Sequence, residues 1–174
     1  MGAPAEAGGQ ALRRVVVCDT GPLLHLAEAN HFDLLQHAGE LHIPLAVDAE
    51  LTDQQAHRAP WIHVSLLSPP HSAAAQAWQK AGLLDAGEAE AIELARQLRA
   101  DWLLTDDAAA RLVAQSLGLE VHGSLGVVLW SAAVGRLPRA VAEDALDRLA
   151  HSSLWISPSV LAEAKAALNQ LFRP

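Results

Sequence analysis

Two patterns of apolar residues alternate along this chain. Short continuous apolar runs are typical of buried strands, and apolar residues at every third or fourth position are typical of amphipathic helices. The runs predict strands at 13–19, 40–44, 61–67, 101–106, 119–123 and 153–157. The helical pattern predicts helices at 22–29, 32–39, 45–57, 71–82, 87–100, 107–118, 125–135, 139–150 and 158–172.

This order of elements favours an α/β fold with three layers, in which helices cover both faces of a central parallel sheet. No repeat, low-complexity tract or linker divides the pattern. We therefore expect a single domain over residues 13–174, preceded by a loose N-terminal tail over residues 1–12.

Composition narrows the class of protein. Hydrophobic residues make up 51% of the 174 residues and charged residues 18%, enough apolar material for one well-buried domain. No apolar run reaches the roughly 18 residues that a membrane span needs. The chain has one cysteine, Cys18, and its N-terminus lacks a signal-peptide pattern, so we expect a cytoplasmic protein without disulfides.

The net charge is −8, from 20 acidic and 12 basic residues. Proteins that hold nucleic acid mainly by neutralising phosphates are usually basic. If this chain contacts nucleic acid, it needs a local arginine patch, a bridging metal ion or an oligomer.

Acidic residues follow two of the predicted strands. Asp19 ends the first strand, and Asp106 and Asp107 end the strand at 101–106. Sites in parallel sheets lie beyond the carboxyl ends of the strands. We therefore expect these carboxylates to lie close together.

Glu88 falls on the apolar face of its predicted helix, with Ala91 and Ile92, whereas Glu90 and Glu93 fall on the opposite, solvent-facing side. A buried carboxylate costs several kcal/mol unless it is paired. Glu88 should therefore have a partner or a cation. Glu50 lies beside apolar positions of another helix and is a weaker candidate of the same kind.

Helix capping is the competing explanation for these acids. Asp19 is a good cap for the helix that follows it, as is Asp106 or Asp107 for the next, and Glu88 suits the positive end of its helix dipole. If instead the acids converge without cysteine or paired histidine, they would bind a hard ion such as Mg²⁺ or Mn²⁺. Such an ion activates water against a phosphodiester.

Four segments in order resemble PIN-domain proteins, and especially the prokaryotic branch related to VapC-type toxins: "VVVCDTGPLLHLA", "IPLAVDAEL", "LDAGEAEAIELA" and "LLTDDAAARLVAQSLGLEVHGSLGVVL". The resemblance covers about residues 15–156. It implies a PIN-like fold and a metal-dependent endoribonuclease that acts on RNA. It also implies a protein that is often a homodimer and often the toxin partner of an antitoxin.

The resemblance also implies roles for particular residues. Asp19, Glu50, Glu88 and Asp107 match the catalytic acids, of which Asp19, Glu88 and Asp107 would hold the ion. Asp106 is left as a cap or a second ligand.

Two further residues would support the site. Thr20 would donate its hydroxyl to Asp19, and Arg111 would pair with Asp107 or contact a phosphate. Gly21 stands where many relatives carry serine. The histidines, His25 among them, are interpreted as ordinary helix residues, and Trp130 and Trp155 as candidates for a dimer interface.

Two other functions remain open. A catalytically silent module that docks a protein or nucleic-acid partner would retain the acids as a remnant. A phospho-acceptor receiver domain is also parallel α/β with an acidic pocket. It fits poorly, because its paired acids should follow the first strand.

Overall fold

The computed structural model of the protein describes residues 13–54 and 58–173. Five strands within these residues form one sheet, in the order β3-β2-β1-β4-β5. All four strand pairs are parallel. The strands are β1 (Val15–Cys18), β2 (Glu40–Ile43), β3 (Ile62–Val64), β4 (Trp102–Leu104) and β5 (Val121–His122).

Helices lie on both faces of the sheet, so the predicted three-layer α/β/α class is confirmed. None of the described helices is long and apolar enough to cross a membrane. They are α1 (Thr20–Glu28), α2 (Leu34–Ala38), α3 (Leu45–Asp53), α4 (Pro69–Lys80), α5 (Ala86–Leu98), α6 (Ala108–Ser116), α7 (Ser124–Ala133), α8 (Arg139–Ala150) and α9 (Pro158–Leu171).

Some predicted boundaries differ from the observed ones. The helix predicted at 45–57 extends to Asp53, and residues 55–57 lie outside the described residues, as does the predicted tail at 1–12. The helix predicted at 125–135 begins one residue earlier, at Ser124, and Gly123 occupies the capping position.

The two faces of the sheet pack against separate apolar clusters because alternate strand residues point to opposite sides. Val17 and Leu103 face α4, α5 and α6. Val16 and Leu104 face the cluster that includes residues of α1, α2, α7, α8 and α9. Burial on both faces explains why the strands are continuous apolar runs.

Strands β1 and β4 are neighbours in the sheet, although 83 residues lie between the end of β1 and the start of β4. This pairing positions the polar residues that follow the two strands. The N–H of Asp19 donates to the carbonyl of Leu104 at 2.9 Å, so the ladder continues one residue past β1. The N–H of Thr105 likewise donates to the carbonyl of His122 at 2.9 Å. Asp19 and Thr105 therefore lie side by side at the sheet edge.

The prediction that Glu93 faces solvent is wrong. Helix α5 packs against α3, α4, α6 and the sheet, so little of its surface faces water. Glu93 is 0% exposed, with His71 Nδ1 at 2.9 Å and Arg96 Nη1 at 2.8 Å from its carboxylate, and Trp78 donates to it at 3.3 Å. Burial alone would raise the pKa of Glu93, but these hydrogen bonds together lower it.

The strand predicted at 153–157 is not present. Side-chain oxygens take the backbone donors that a sheet would need: Ser153 N–H donates to Glu28 at 2.6 Å, and Leu154 N–H to Ser152 Oγ at 3.2 Å. The segment is an irregular connection between α8 and α9. It brings Leu154 and Trp155 to the carboxyl edge of the sheet, beside the acidic residues.

Candidate active site

A cavity of about 520 Å³ lies beyond the carboxyl ends of β1 and β4. Five of the carboxylates that line it are the five acids singled out in the sequence, and they come from four separate segments. The sixth is Asp85, which sequence reasoning missed. The acidic lining consists of Asp19, Glu50, Asp85, Glu88, Asp106 and Asp107.

Asp19 is the most deeply placed of these acids, with 6% exposure. Its Oδ1 accepts from the Thr20 N–H at 2.8 Å, which makes it the cap of α1, and its Oδ2 accepts from Thr105 Oγ1 at 3.0 Å. Burial raises the pKa of Asp19 to about 7, and the charges of Asp85 and Glu88 add to that rise, against the lowering effect of the two hydrogen bonds. Asp19 is thus both a helix cap and a member of the acidic cavity.

Thr20 is near the expected place but has a different partner. Its hydroxyl donates to Glu50 Oε2 rather than to Asp19. The hydroxyl that supports Asp19 belongs to Thr105, which follows β4 and is buried. Thr105 was missed because its contact with Asp19 depends on the pairing of β1 with β4.

Gly87 gives Glu50 its place in the cavity. A Cβ at position 87 would lie 2.7 Å from Oε1 and 3.0 Å from Oε2 of Glu50, closer than real Cβ contacts. Only glycine therefore lets the Glu50 carboxylate rest against the first turn of α5. The hydroxyl of Thr20 on α1 contacts this carboxylate, so Glu50 of α3 connects three helices at the cavity wall.

Glu88 is half-buried rather than buried on an apolar face. It forms a capping box with Asp85: the Glu88 N–H donates to Asp85 Oδ1 at 2.8 Å, and the Asp85 N–H donates to Glu88 Oε2 at 2.9 Å. Partial burial raises the pKa of Glu88, as do the charges of Asp85, Asp107 and Glu50, while the bond from the Asp85 N–H lowers it. The spacing Asp-x-x-Glu just before an apolar helix is the signal that predicts this box, and with it Asp85.

The two neighbouring acids after β4 have different partners. Asp107 caps α6, with its Oδ1 accepting from the Ala110 N–H at 2.8 Å, and its side chain is otherwise exposed. Asp106 does not cap α6. Its Oδ1 accepts from the Ser124 N–H at 2.7 Å, and its Oδ2 lies 2.6 Å from Ser124 Oγ and 2.7 Å from His25 Nδ1.

The sequence pattern indicates that His25 is an ordinary helix residue, but the structure gives it a specific contact. It lines the cavity from α1 and its ring nitrogen Nδ1 contacts Asp106. No local sequence signal marks His25, because its contact with Asp106 joins residues 81 positions apart. Gly21 lies on the same helix, and a side chain there would fit: a Cβ at position 21 would be in ordinary van der Waals contact with Asp106, 3.5 Å from its Cβ.

Arg111 does not pair with Asp107. Its guanidinium donates to the carbonyls of Thr105 at 3.1 Å and Val121 at 3.4 Å. Among the residues that the structure describes, no carboxylate lies within 4.0 Å of it. Arg111 thus holds β4 and β5 together just outside the acidic cavity.

The cavity suits a hard divalent cation by its chemistry. Its ionisable lining is almost entirely carboxylate oxygen, the donor type that Mg²⁺ and Mn²⁺ prefer. The raised pKa values of Asp19 and Glu88 reflect burial together with unrelieved like charge, which a cation would offset. As the side chains stand, no three described His, Cys, Asp or Glu residues form a metal-binding group, because capping bonds hold several of them toward backbone N–H groups.

Comparison with known proteins assigns the chain to a family. Residues 15–170 match the family model DUF3368, described as a PIN domain. No curated protein matches the sequence significantly. PIN domains are generally nucleases that bind nucleic acid and use divalent metal ions. The match covers more than the segments that resembled PIN proteins, since it extends through most of α9, and the chain accordingly belongs to the PIN-domain family.

Proposed function

We propose that the protein is an endoribonuclease that hydrolyses RNA phosphodiesters with Mg²⁺ or Mn²⁺. One observation carries the proposal: acids from four separate segments, among them Asp19, Glu50, Glu88 and Asp107, line a single cavity at the carboxyl edge of a parallel sheet. Capping alone would require each acid to lie at a helix start, but it would not require them to share a cavity.

In this proposal Asp19, Glu88 and Asp107 hold the ion, with Glu50 and Asp106 at the margins. A bound divalent ion polarises the phosphoryl oxygens and offsets the charge that develops during hydrolysis. Asp19 is kept in place by Thr20 and Thr105, and Glu50 by Thr20, so these acids need little rearrangement. Because burial raises the pKa of Asp19 to about 7 in the metal-free protein, binding of an ion to this carboxylate would release a proton near neutral pH.

Two side chains must turn before the ion is held. Glu88 has to leave the Asp85 N–H, and Asp107 has to share or leave the Ala110 N–H. Each change exposes a backbone N–H that water can reach at a helix start. Each change breaks one hydrogen bond, which costs about 1 kcal/mol.

A second function has its own supporting observation. Asp19, Asp107 and Asp85 with Glu88 all make capping bonds, and no three described side chains form a metal-binding group. A catalytically silent PIN-like module that binds a protein or nucleic-acid partner would retain such an arrangement for its stability alone.

Calorimetric titration with Mn²⁺ separates the two functions. The nuclease proposal expects the parent protein to bind Mn²⁺ and to cleave RNA, and expects Asp19→Asn to lose both. Gly21→Ala is the matched control, because it adds a side chain at ordinary contact distance beside the same cavity. Absence of binding by the parent at millimolar Mn²⁺ would leave the silent module as the function.

The role of toxin in a toxin–antitoxin pair, as a homodimer neutralised by a small partner, extends this proposal. Its test is growth of bacterial cells that produce the protein. Arrest by the parent but not by Asp19→Asn, relieved by a neighbouring small gene product, is the expected result.

A further inference from the structure

A second cavity of about 360 Å³ adjoins the acidic one. Asp106, Leu154 and Trp155 line both cavities, so the two cavities share this wall. The second cavity is bounded by β5, the first turn of α7 and the segment between α8 and α9. We call it the Trp155 cavity.

Trp155 is 85% exposed, although it is one of the largest apolar side chains in the chain. The other four tryptophans have partners within the protein. Trp61 contacts Phe32, Trp102 packs edge-on against Trp130, and Trp78 donates to Glu93. Val160, which is 45% exposed, lines the same cavity, so Trp155 belongs to an exposed apolar patch of the kind that marks an interaction site.

The rest of the lining provides both apolar and polar contacts. Leu125, Ile156 and Val160 form an apolar wall, and Arg111 and His122 lie on the side toward β5. The guanidinium of Arg111 is fixed by two carbonyls and has no described carboxylate within 4.0 Å. The cavity therefore combines an aromatic face with a positive charge, next to a strongly acidic neighbour.

Gly123 brings that charge close to the acidic cavity. A Cβ at this position would lie 2.7 Å from Asp106 Oδ1 and 2.9 Å from Arg111 Nη2. The acid and the guanidinium thus flank one glycine, and Asp106 lines both cavities whereas Arg111 lines only the Trp155 cavity. A ligand that spans the boundary would meet carboxylates on one side and Arg111 with Trp155 on the other.

We propose that the Trp155 cavity binds the nucleotide adjacent to the scissile phosphate, with its base stacked on the Trp155 indole and its phosphate near Arg111. This inference rests on the proposed nuclease function. The volume is at the small end for ligand sites and matches a single nucleotide rather than a protein segment. Stacking on an aromatic side chain requires an unpaired base, so the cavity selects single strands over duplex.

The test uses the full chain and a fluorescently labelled single-stranded RNA oligonucleotide, with binding measured by anisotropy in the presence of Ca²⁺. Trp155→Ala should weaken binding by about 5- to 160-fold, the range for loss of one stacked base. Trp155→Phe should recover much of the loss, and Mn²⁺ affinity should not change in either variant. Leu66→Ala is the matched control, because Leu66 is 66% exposed and lines neither cavity.

A second arm replaces single bases of the oligonucleotide by abasic sugars. One position should reproduce the loss caused by Trp155→Ala in the parent protein and cause no further loss in the variant, because the two changes remove the same contact.

Three results would overturn the proposal. Equal RNA affinity for Trp155→Ala and Leu66→Ala, in a protein that still cleaves RNA, would leave the nuclease in place without the subsite. Conversion of a dimer to a monomer by Trp155→Ala with unchanged RNA affinity would make Trp155 a contact between copies of the chain. A parent protein that neither binds nor cleaves RNA would remove the nuclease function and the subsite together.

Discussion

Gly87 and Glu50 are in such close contact that any side chain at position 87 would displace the glutamate. An added Cβ would meet the carboxylate at 2.7 Å, and the atoms it meets are the far end of a flexible side chain. The fold can therefore accept the larger residue, but the cavity cannot keep Glu50 in its present position.

Gly87→Ala should therefore weaken metal binding without lowering the stability of the fold. Alanine favours a helix over glycine by about 1 kcal/mol, which offsets the similar cost of the lost Thr20–Glu50 hydrogen bond, so urea denaturation should show nearly unchanged stability. Mn²⁺ affinity and RNA cleavage should fall several-fold, because Glu50 moves and its bond with Thr20 breaks. Gly21→Ala, the same change at an uncrowded position on α1, should leave Mn²⁺ affinity unchanged. Equal effects of the two variants on the metal would contradict this account of Gly87.

Asp19→Asn should change how the stability of the metal-free protein depends on pH. The pKa of Asp19 is about 7 in the folded protein and near 3.8 in the unfolded chain, so the folded state binds this proton more tightly. The stabilisation that comes from the protonated Asp19 side chain is fully present below about pH 4 and is lost as the pH rises to about 7. The loss amounts to as much as about 4 kcal/mol.

Urea denaturation in EDTA at pH 5 and pH 8 measures this effect. The parent should lose more stability between these values than Asp19→Asn, by about 1–3 kcal/mol. Asp107→Asn is the control, because its exposed side chain gains little from neutralisation and asparagine is an equally good helix cap. Parallel pH profiles for the parent and Asp19→Asn would show that the carboxylate is not destabilising.

Asp106 and Asp107 should respond differently to the same substitution. Asp106→Asn places an amide where one carboxylate accepts from both Ser124 and His25, and should lower stability by about 1–3 kcal/mol. Asp107→Asn keeps the cap on α6, so its stability should stay within about 0.5 kcal/mol of the parent while Mn²⁺ binding falls. Retention of Mn²⁺ binding by Asp107→Asn would assign the ligand to Asp106.

Glu93→Ala should destabilise the protein without affecting the cavity. It leaves His71, Arg96 and Trp78 without their shared acceptor between α4 and α5, and the loss of these hydrogen bonds to a buried carboxylate should cost about 1–3 kcal/mol. Glu143→Ala breaks an exposed pair with Arg139 and should cost less than about 1 kcal/mol. Thermal denaturation of the two variants compares them directly, and similar melting temperatures would rule out a structural role for Glu93.

The sequence predicted those features that depend on one element at a time. The apolar runs correctly located all five strands of the sheet. The alternation of strands with helices correctly predicted that the strands are parallel. Asp19 and Asp107 were singled out because they follow predicted strands, and the structure confirms that each of them caps a helix.

The features that were missed depend on contacts between elements. A helix projection assigns Glu93 to the outer side of α5, but it does not show that α4 covers that side. The contact of Thr105 with Asp19, and that of His25 with Asp106, join residues more than 80 positions apart. The apolar alternation at 153–157 resembled a strand because nothing in it shows that Glu28 takes the N–H of Ser153.

The strand order has a consequence for the timing of activity during protein synthesis. Asp19 is made early, but its neighbour in the sheet is β4, so the cavity lacks its second wall until residues near Asp107 have left the ribosome. A nascent chain holding only β1, β2 and β3 carries Asp19, Glu50 and Glu88 without the acids that follow β4. Under the proposed nuclease function, RNA cleavage would therefore require more than half of the chain to be translated first.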